Sequence, residues 1–279
     1  MQNLSLEKIK ELKIKANNIR KNIIEMLYKS QSGHTAGPLG MADIFTYLYF
    51  VGMKYDKNNP KWEERDRLVL SNGHICPVLY ATFAEIGYLK KEELWTLRKF
   101  GSKLQGHPHR EFLPILETSS GPLGEGLSQA VGMAIATKID NGVNKNIFCI
   151  VGDGELNEGQ NWEAIMLGAK ENLGNLTLIV DRNNIQLDGN TEDIMPLNNL
   201  RIKFGAFNWH TEEVDGHDFV AIHNAIEKVK EIKDKPSVII ANTIPCKGVK
   251  EWERDYRWHG KAPNKEEYEL AINELSKIC

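Results

Sequence analysis

Cysteine is scarce in this chain of 279 residues: Cys76, Cys149, Cys246 and Cys279 are far apart, and no two have C-x-x-C spacing. That spacing suggests neither a zinc site nor a disulfide framework and favours a reducing compartment. Net positive charge is absent too. With 35 Lys+Arg against 38 Asp+Glu, the formal charge is −3. This excludes an electrostatic grip on nucleic acid or on an anionic membrane. No apolar run approaches the ~18 residues of a membrane span. The first residues, MQNLSLEK, lack the apolar stretch of a signal peptide. No low-complexity tract, repeat or Pro/Gly-rich linker divides the chain. The expectation is one domain over 1–279, cytoplasmic, with no nucleic-acid or membrane partner.

What is present is an alternation of helices and apolar strands. Leu12, Ala16, Ile19, Ile23 and Leu27 recur at helical spacing in the first thirty residues. Residues 31–40, QSGHTAGPLG, read as a loop opening into a helix at about Met41 to Val51. Short buried strands are expected at Arg67 to Ser71, Asn146 to Val151 and Leu176 to Val180, with two more at Thr211 to Val214 and Ser237 to Ala241. Helices are expected at about Pro77 to Ile86, around Leu127 to Ile135, at about Asn157 to Lys170 and at Phe219 to Ile232. Strands that are apolar throughout and alternate with helices predict an α/β fold, a doubly wound, mostly parallel sheet covered on both faces. Ligands of such sheets sit beyond the carboxyl ends of the strands. The polar residues at those ends are Asn72-Gly73-His74, Gly152-Asp153-Gly154 and Asp181 to Asn184.

Gly152-Asp153-Gly154 permits a tight strand-to-helix turn, and a helix N-terminus favours phosphate. Asp153 would repel a bare phosphate, so a divalent cation bridging the two makes physical sense. A Gly-Asp-Gly alone is most often just a turn. Here Asn183 follows Asp153 by thirty residues, the length of one strand–helix–strand unit. That returns the chain to the same sheet edge, where both side chains can share one hard ion. Other polar residues receive plainer readings. Glu155 is a first-turn carboxylate favoured by the helix dipole. His109, His210, His217 and His223 are surface or internally satisfied, Lys247 and Lys250 are solvated, and Trp162, Ile165, Met166 and Ala169 form a core or interface stripe.

Taken together, GDGELNEGQNWEA and DRNNIQLDG resemble the metal–diphosphate motif of thiamine-diphosphate enzymes, and of transketolases in particular. SGHTAGPLG at 32–40, RDRLVLSNGH at 65–74, QGHPH at 105–109 and SSGPLGEGLSQAVGMA at 119–134 are similar to transketolase segments in family order. The resemblance runs from about residue 10 to about 262. It implies thiamine diphosphate and Mg²⁺ as cofactors, with Ca²⁺ or Mn²⁺ able to substitute. The metal ligands it implies are Asp153, Asn183 and the carbonyl of Ile185. It places Gly152, Gly154 and His74 at the diphosphate, and Gly121 and Leu123 at the aminopyrimidine. His34, His107 and His259 would line the sugar channel, and Glu158 would join a carboxylate relay at a subunit interface.

The implied reaction passes a two-carbon ketol unit from a ketose to an aldose, the cofactor acting as electron sink. Imidazoles suit its proton transfers. Transketolases are usually more than twice this long, and nothing here resembles the domain that supplies the activating glutamate. The chain therefore reads as the N-terminal subunit of a split transketolase, or as a fragment of a longer one; Trp258-His259-Gly260-Lys261-Ala262-Pro263 favours the split form. The expected partner is a C-terminal, pyrimidine-binding subunit, in a dimer of heterodimers, and the chain should expose more apolar surface than a monomer does. Alternatives are a dehydrogenase E1 α subunit, a deoxyxylulose-phosphate synthase, and an inactive regulatory homologue. The sugars stay open, including one whose terminal anion is not phosphate.

Overall fold

A computed structural model describes residues 4–140 and 145–278; Cys279 lies outside them. The three cysteines within them are buried free thiols. Helix α1 (Leu6–Ser30) begins where the Ser5 hydroxyl accepts the Lys8 N–H at 3.1 Å. It ends at Gln31 in the left-handed region (φ 52°). Its expected stripe of Leu12, Ala16, Ile19, Ile23 and Leu27 is fully buried. Helix α2 (Ala36–Tyr47) starts five residues before the expected Met41. Pro38 is its third residue, a first-turn position whose N–H would have no helical acceptor, so the proline is tolerated there.

Strands β1 (Arg67–Leu70), β2 (Ile147–Gly152) and β3 (Leu176–Arg182) come next, with helices α3 (Cys76–Glu85), α4 (Glu125–Ile139) and α5 (Gly159–Lys170) interleaved. A hairpin of two-residue strands, β4 (Ile185–Gln186) and β5 (Gly189–Asn190), follows β3; the sequence indicated a polar segment at Asp181 to Asn184 and no strand after it. Then come α6 (Thr191–Ile194), α7 (Leu200–Ala206), β6 (His210–Asp215), α8 (Phe219–Glu231), β7 (Ser237–Asn242) and α9 (Lys265–Ser276).

The main sheet runs β1-β2-β3-β7-β6 and every pairing in it is parallel. Alternate strand residues feed two cores, as period-2 geometry requires. Phe148, Ile150, Ile179 and Ile239 pack beneath α1, α2, α3 and α8. Cys149, Val151, Leu178, Val180, Val238 and Ile240 pack beneath α4, α5 and α7. Burial on both faces explains why β2 reads as an unbroken apolar run and β3 as one interrupted only by Thr177 before Asp181. Edge strand β6 is more polar, with Glu212, Glu213 and Asp215 along it.

The expectation of internally satisfied histidines holds at two positions. The His223 Nδ1 lies 2.9 Å from the Tyr47 hydroxyl. His217 accepts the Ile244 N–H at Nε2 (2.8 Å), so its Nδ1–H donates to Asp43 (2.7 Å). Arg20 forks onto the same carboxylate at 2.5 and 3.2 Å. Burial would raise the Asp43 carboxyl, but Arg20 and His217 outweigh it and hold it below its ordinary value. This knot ties α1 and α2 to the ends of β6 and β7. Among the described residues no helix is long and apolar enough to cross a membrane.

Candidate active site

A cavity of about 460 Å³ opens beyond the carboxyl ends of β1, β2 and β3, where a parallel sheet places its ligands. His34, His74, His107, His259, Gly121, Leu123, Gly152, Asp153, Gly154, Asn183 and Ile185 all line it. Segments up to 225 residues apart in sequence thus converge. Glu158 does not line it; it is the exposed N-cap of α5.

Three histidines touch ring to ring. Centroids lie 4.9 Å apart for His34–His74, 5.1 Å for His74–His259 and 5.5 Å for His34–His259. Burial, then mutual repulsion with the neighbouring imidazoles and Arg98, lowers His34 to about 3. His74 is pushed well down by burial and by His259, His34 and His107. Burial also lowers His107 and His259. At neutral pH the cluster is uncharged, and each ring carries one N–H and one lone pair. Beside it, Trp258 stacks on Trp252 (3.7 Å, 19°), and the Lys261 ammonium sits 4.0 Å above the Trp258 ring.

The three backbone N–H groups of the Gly-Asp-Gly turn are paired within the protein: Gly152 donates to Glu155 (3.0 Å), Asp153 to the Asp181 carbonyl (3.1 Å) and Gly154 to the carboxylate of its neighbour Asp153 (2.7 Å). Asp153 is 1% exposed and also accepts from the Asn184 N–H (2.7 Å) and from Arg182 (3.1 Å), which reaches on to Glu192 (2.6 Å). Burial raises Asp153 to about 6, against the pull of Arg182 and these N–H groups. Asn183 is held from two sides. Its amide donates to Asp181 (2.9 Å), which Thr243 also contacts, and its carbonyl oxygen accepts the Ile185 N–H (3.0 Å).

Glu155 corrects the sequence reading. It does lie in a first helical turn, as expected, but it is 3% exposed and its carboxylate is an internal acceptor. Its Oε1 accepts the Ser71 hydroxyl (2.5 Å) and the Gly124 N–H (2.7 Å), and its Oε2 accepts Gly152. One side chain therefore fastens the β1–α3 loop, the entry of α4 and the end of β2. Ser71 in turn accepts the Gly126 N–H (3.1 Å). The two segments approach so closely that a Cβ on Gly126 would lie 2.6 Å from the Ser71 Cα, so only glycine fits there. Gly124 has φ +88°, a second glycine requirement in the same loop.

The residues fit a diphosphate–metal group by their chemistry. Asp153, Asn183 and the Ile185 carbonyl are all oxygen donors, the set a hard cation takes. Among the described residues no three His, Cys, Asp or Glu side chains are grouped to hold a metal on their own. Gly121 lines the cavity, and nothing within 4 Å would meet a Cβ on it. His34 Nδ1 and both side-chain polar atoms of Asn72 are buried without a protein partner. The sequence reading placed Asn72 at a strand end without giving it a role, and it missed the contacts made by Glu155 and Arg182. For Asn72 the available signal was its place directly before Gly73-His74 at a strand end.

Residues 12–276 match the family model for the thiamine diphosphate binding domain of transketolase. The chain belongs to the transketolase family. Over 267 residues it is 42% identical to a subunit of the 6-deoxy-6-sulfo-D-fructose transketolase of Clostridium sp. (strain MSTE9), covering 96% of this chain and 97% of that one. It is 38% identical over 269 residues to a subunit of the apulose-4-phosphate transketolase of Phocaeicola vulgatus, covering 96% and 95%. The crystal structure of Campylobacter jejuni transketolase superposes with a TM-score of 0.89 at 35% identity, covering 98% of this chain. The chain spans 43% of that longer transketolase. Family membership favours the transketolase reading over the dehydrogenase and synthase alternatives, and the bound cofactor of the family is thiamine diphosphate.

Proposed function

We propose that this chain is the diphosphate-binding subunit of a two-component transketolase, moving a two-carbon ketol unit from a ketose to an aldose. The observation that carries the proposal is the cavity joining Asp153 and Asn183 to four uncharged histidines. Thiamine diphosphate supplies the electron sink for the transferred fragment. Mg²⁺ is the proposed metal, held by Asp153, Asn183 and the Ile185 carbonyl, with Arg182 offsetting part of the local negative charge. His74 stands on the diphosphate side of the histidine cluster. His34, His107 and His259 hold sugar hydroxyls, each able to accept a proton at its lone pair or donate one from its N–H. Gly121 and Leu123 sit against the aminopyrimidine.

The partner supplies the pyrimidine-binding half and the activating glutamate. Support for such a docking comes from exposed Leu187, which lines the cavity in the β4–β5 hairpin, from exposed Ile194, which lies against Gly189 of that hairpin, and from exposed Met195 and Phe112. Exposed apolar side chains of this kind mark an interaction face. Glu158, exposed at the start of α5, is available to the proposed interface relay. A dimer of heterodimers in the cytoplasm is the proposed assembly. The test is a two-carbon transfer assay with this chain, with the partner and with both, using donor ketoses ending in phosphate or in sulfonate. Activity is expected in the mixture alone. Substantial activity from this chain by itself would defeat the two-component reading.

A further inference from the structure

We infer that the side-chain amide of Asn72 is a group held in the fold to donate to anionic oxygens of the bound diphosphate; the inference rests on the cofactor reading above.

Asn72 is 1% exposed and lines the cavity with His74, Gly152, Asp153 and Asn183. Neither its Nδ2 nor its Oδ1 has a hydrogen-bond partner among the described residues. In Asn17 and Asn161 only the side-chain oxygen is unpaired. Asn17 donates to the Leu275 and Ile278 carbonyls, and Asn161 donates to the Glu155 carbonyl. Leaving a buried amide unpaired costs about 1–3 kcal/mol, which the fold alone gives no reason to bear.

The placement is also specific. Asn72 Nδ2 lies 3.6 Å from where a Cβ on Gly152 would be, so the amide abuts the turn. The backbone around it is fixed. Ser71 N–H pairs with the Ile150 carbonyl (2.9 Å), the Ser71 hydroxyl is tied to Glu155, and the Asn72 carbonyl accepts the Ile75 N–H (3.0 Å). Its polar surroundings are mostly acidic: Asp153, Glu155 and Asp181 line the same cavity. A neutral N–H donor there complements an anionic ligand without needing a counter-charge of its own.

The inference predicts opposite signs for binding and for stability. Calorimetry on the chain reconstituted with its partner would use thiamine diphosphate and, separately, magnesium pyrophosphate. Asn72→Ala should weaken both about tenfold, the equivalent of one lost hydrogen bond. Asn72→Asp, which sets a carboxylate against the diphosphate, should weaken both at least a hundredfold. The full-length Asn72→Ala chain should melt at or above the wild-type temperature, because an unpaired amide has been removed. A lowered melting temperature with affinity unchanged would mean that the amide is structural and would overturn the inference. Wild-type affinity in Asn72→Asp would do the same. If the wild-type pair itself failed to bind thiamine diphosphate, the cofactor reading would fall and this inference with it.

Discussion

Removing the Glu155 carboxylate tests whether one side chain sets the shape of the cofactor cradle. In Glu155→Ala, the Ser71 hydroxyl and the Gly124 and Gly152 N–H groups lose their acceptor. A buried donor left unpaired costs about 1–3 kcal/mol. Three such losses are partly offset, because the carboxylate is itself buried unfavourably and pushed up to about 7. The net loss is about 3 kcal/mol, which for a chain of this size lowers the melting midpoint by about 6–12 °C. Glu155→Gln keeps an oxygen for Ser71 and Gly124 but turns an NH₂ toward the Gly152 N–H. Its expected cost is about 1 kcal/mol. Thermal melts of the full chain give the stability. Calorimetry on the reconstituted pair gives the affinity for thiamine diphosphate, which should fall in both variants. Ser71→Ala breaks the same link from the other side, so a double-mutant cycle should show coupling of about 1 kcal/mol. If Glu155→Ala melted with the wild type, or if the two substitutions simply added, the three-loop clamp would be refuted.

Three further outcomes are expected. Asp153→Ala should abolish divalent-cation dependence of thiamine diphosphate binding while far-ultraviolet circular dichroism stays native; unchanged affinity by calorimetry would remove Asp153 from the metal site. Alanine at His34, His107 or His259 should lower kcat by tenfold or more with little change in cofactor affinity, whereas His74→Ala should chiefly weaken cofactor binding; four equal losses of affinity would misplace the channel. The cofactor-free chain should lose stability as pH falls below about 6.5, because the unfolded chain takes up a proton on His34 that the folded chain, with this group lowered to about 3, refuses. Each such histidine steepens the loss by about 1.4 kcal/mol per pH unit. Denaturant midpoints between pH 7.5 and 5 should therefore fall less steeply in His34→Gln, and parallel curves would count against the depressed value.

The strands and their order of chemistry were legible because their residues are apolar on both faces, and an unbroken run such as Ile147 to Val151 has one structural meaning. His74 and Asp153 were legible because each lies beside glycine at a strand end, and His34, His107 and His259 because each lies beside glycine in a loop that resembles a transketolase segment. Glu155 was not. Its acceptor role depends on Ser71 and Gly124, distant in sequence, and a local reading shows only an acid after a turn. The same holds for Arg182, whose partners Asp153 and Glu192 come from separate segments. The β4–β5 hairpin was missed because two-residue strands carry no periodicity. The start of α2 was missed because its first turn contains Gly37 and Pro38, residues that signal a loop everywhere except at a helix start.

The stacked indoles of Trp252 and Trp258 give the site an optical signature. Two rings 3.7 Å apart couple electronically, so the pair should dominate the near-ultraviolet circular dichroism of this region. Trp258 precedes His259 in the chain, and the ammonium of Lys261 lies over its face, where a small displacement changes the local field. A ligand that moves His259 should therefore alter both emission and dichroism without any attached dye. Occupancy of the cavity can then be followed in real time, by light the protein itself absorbs.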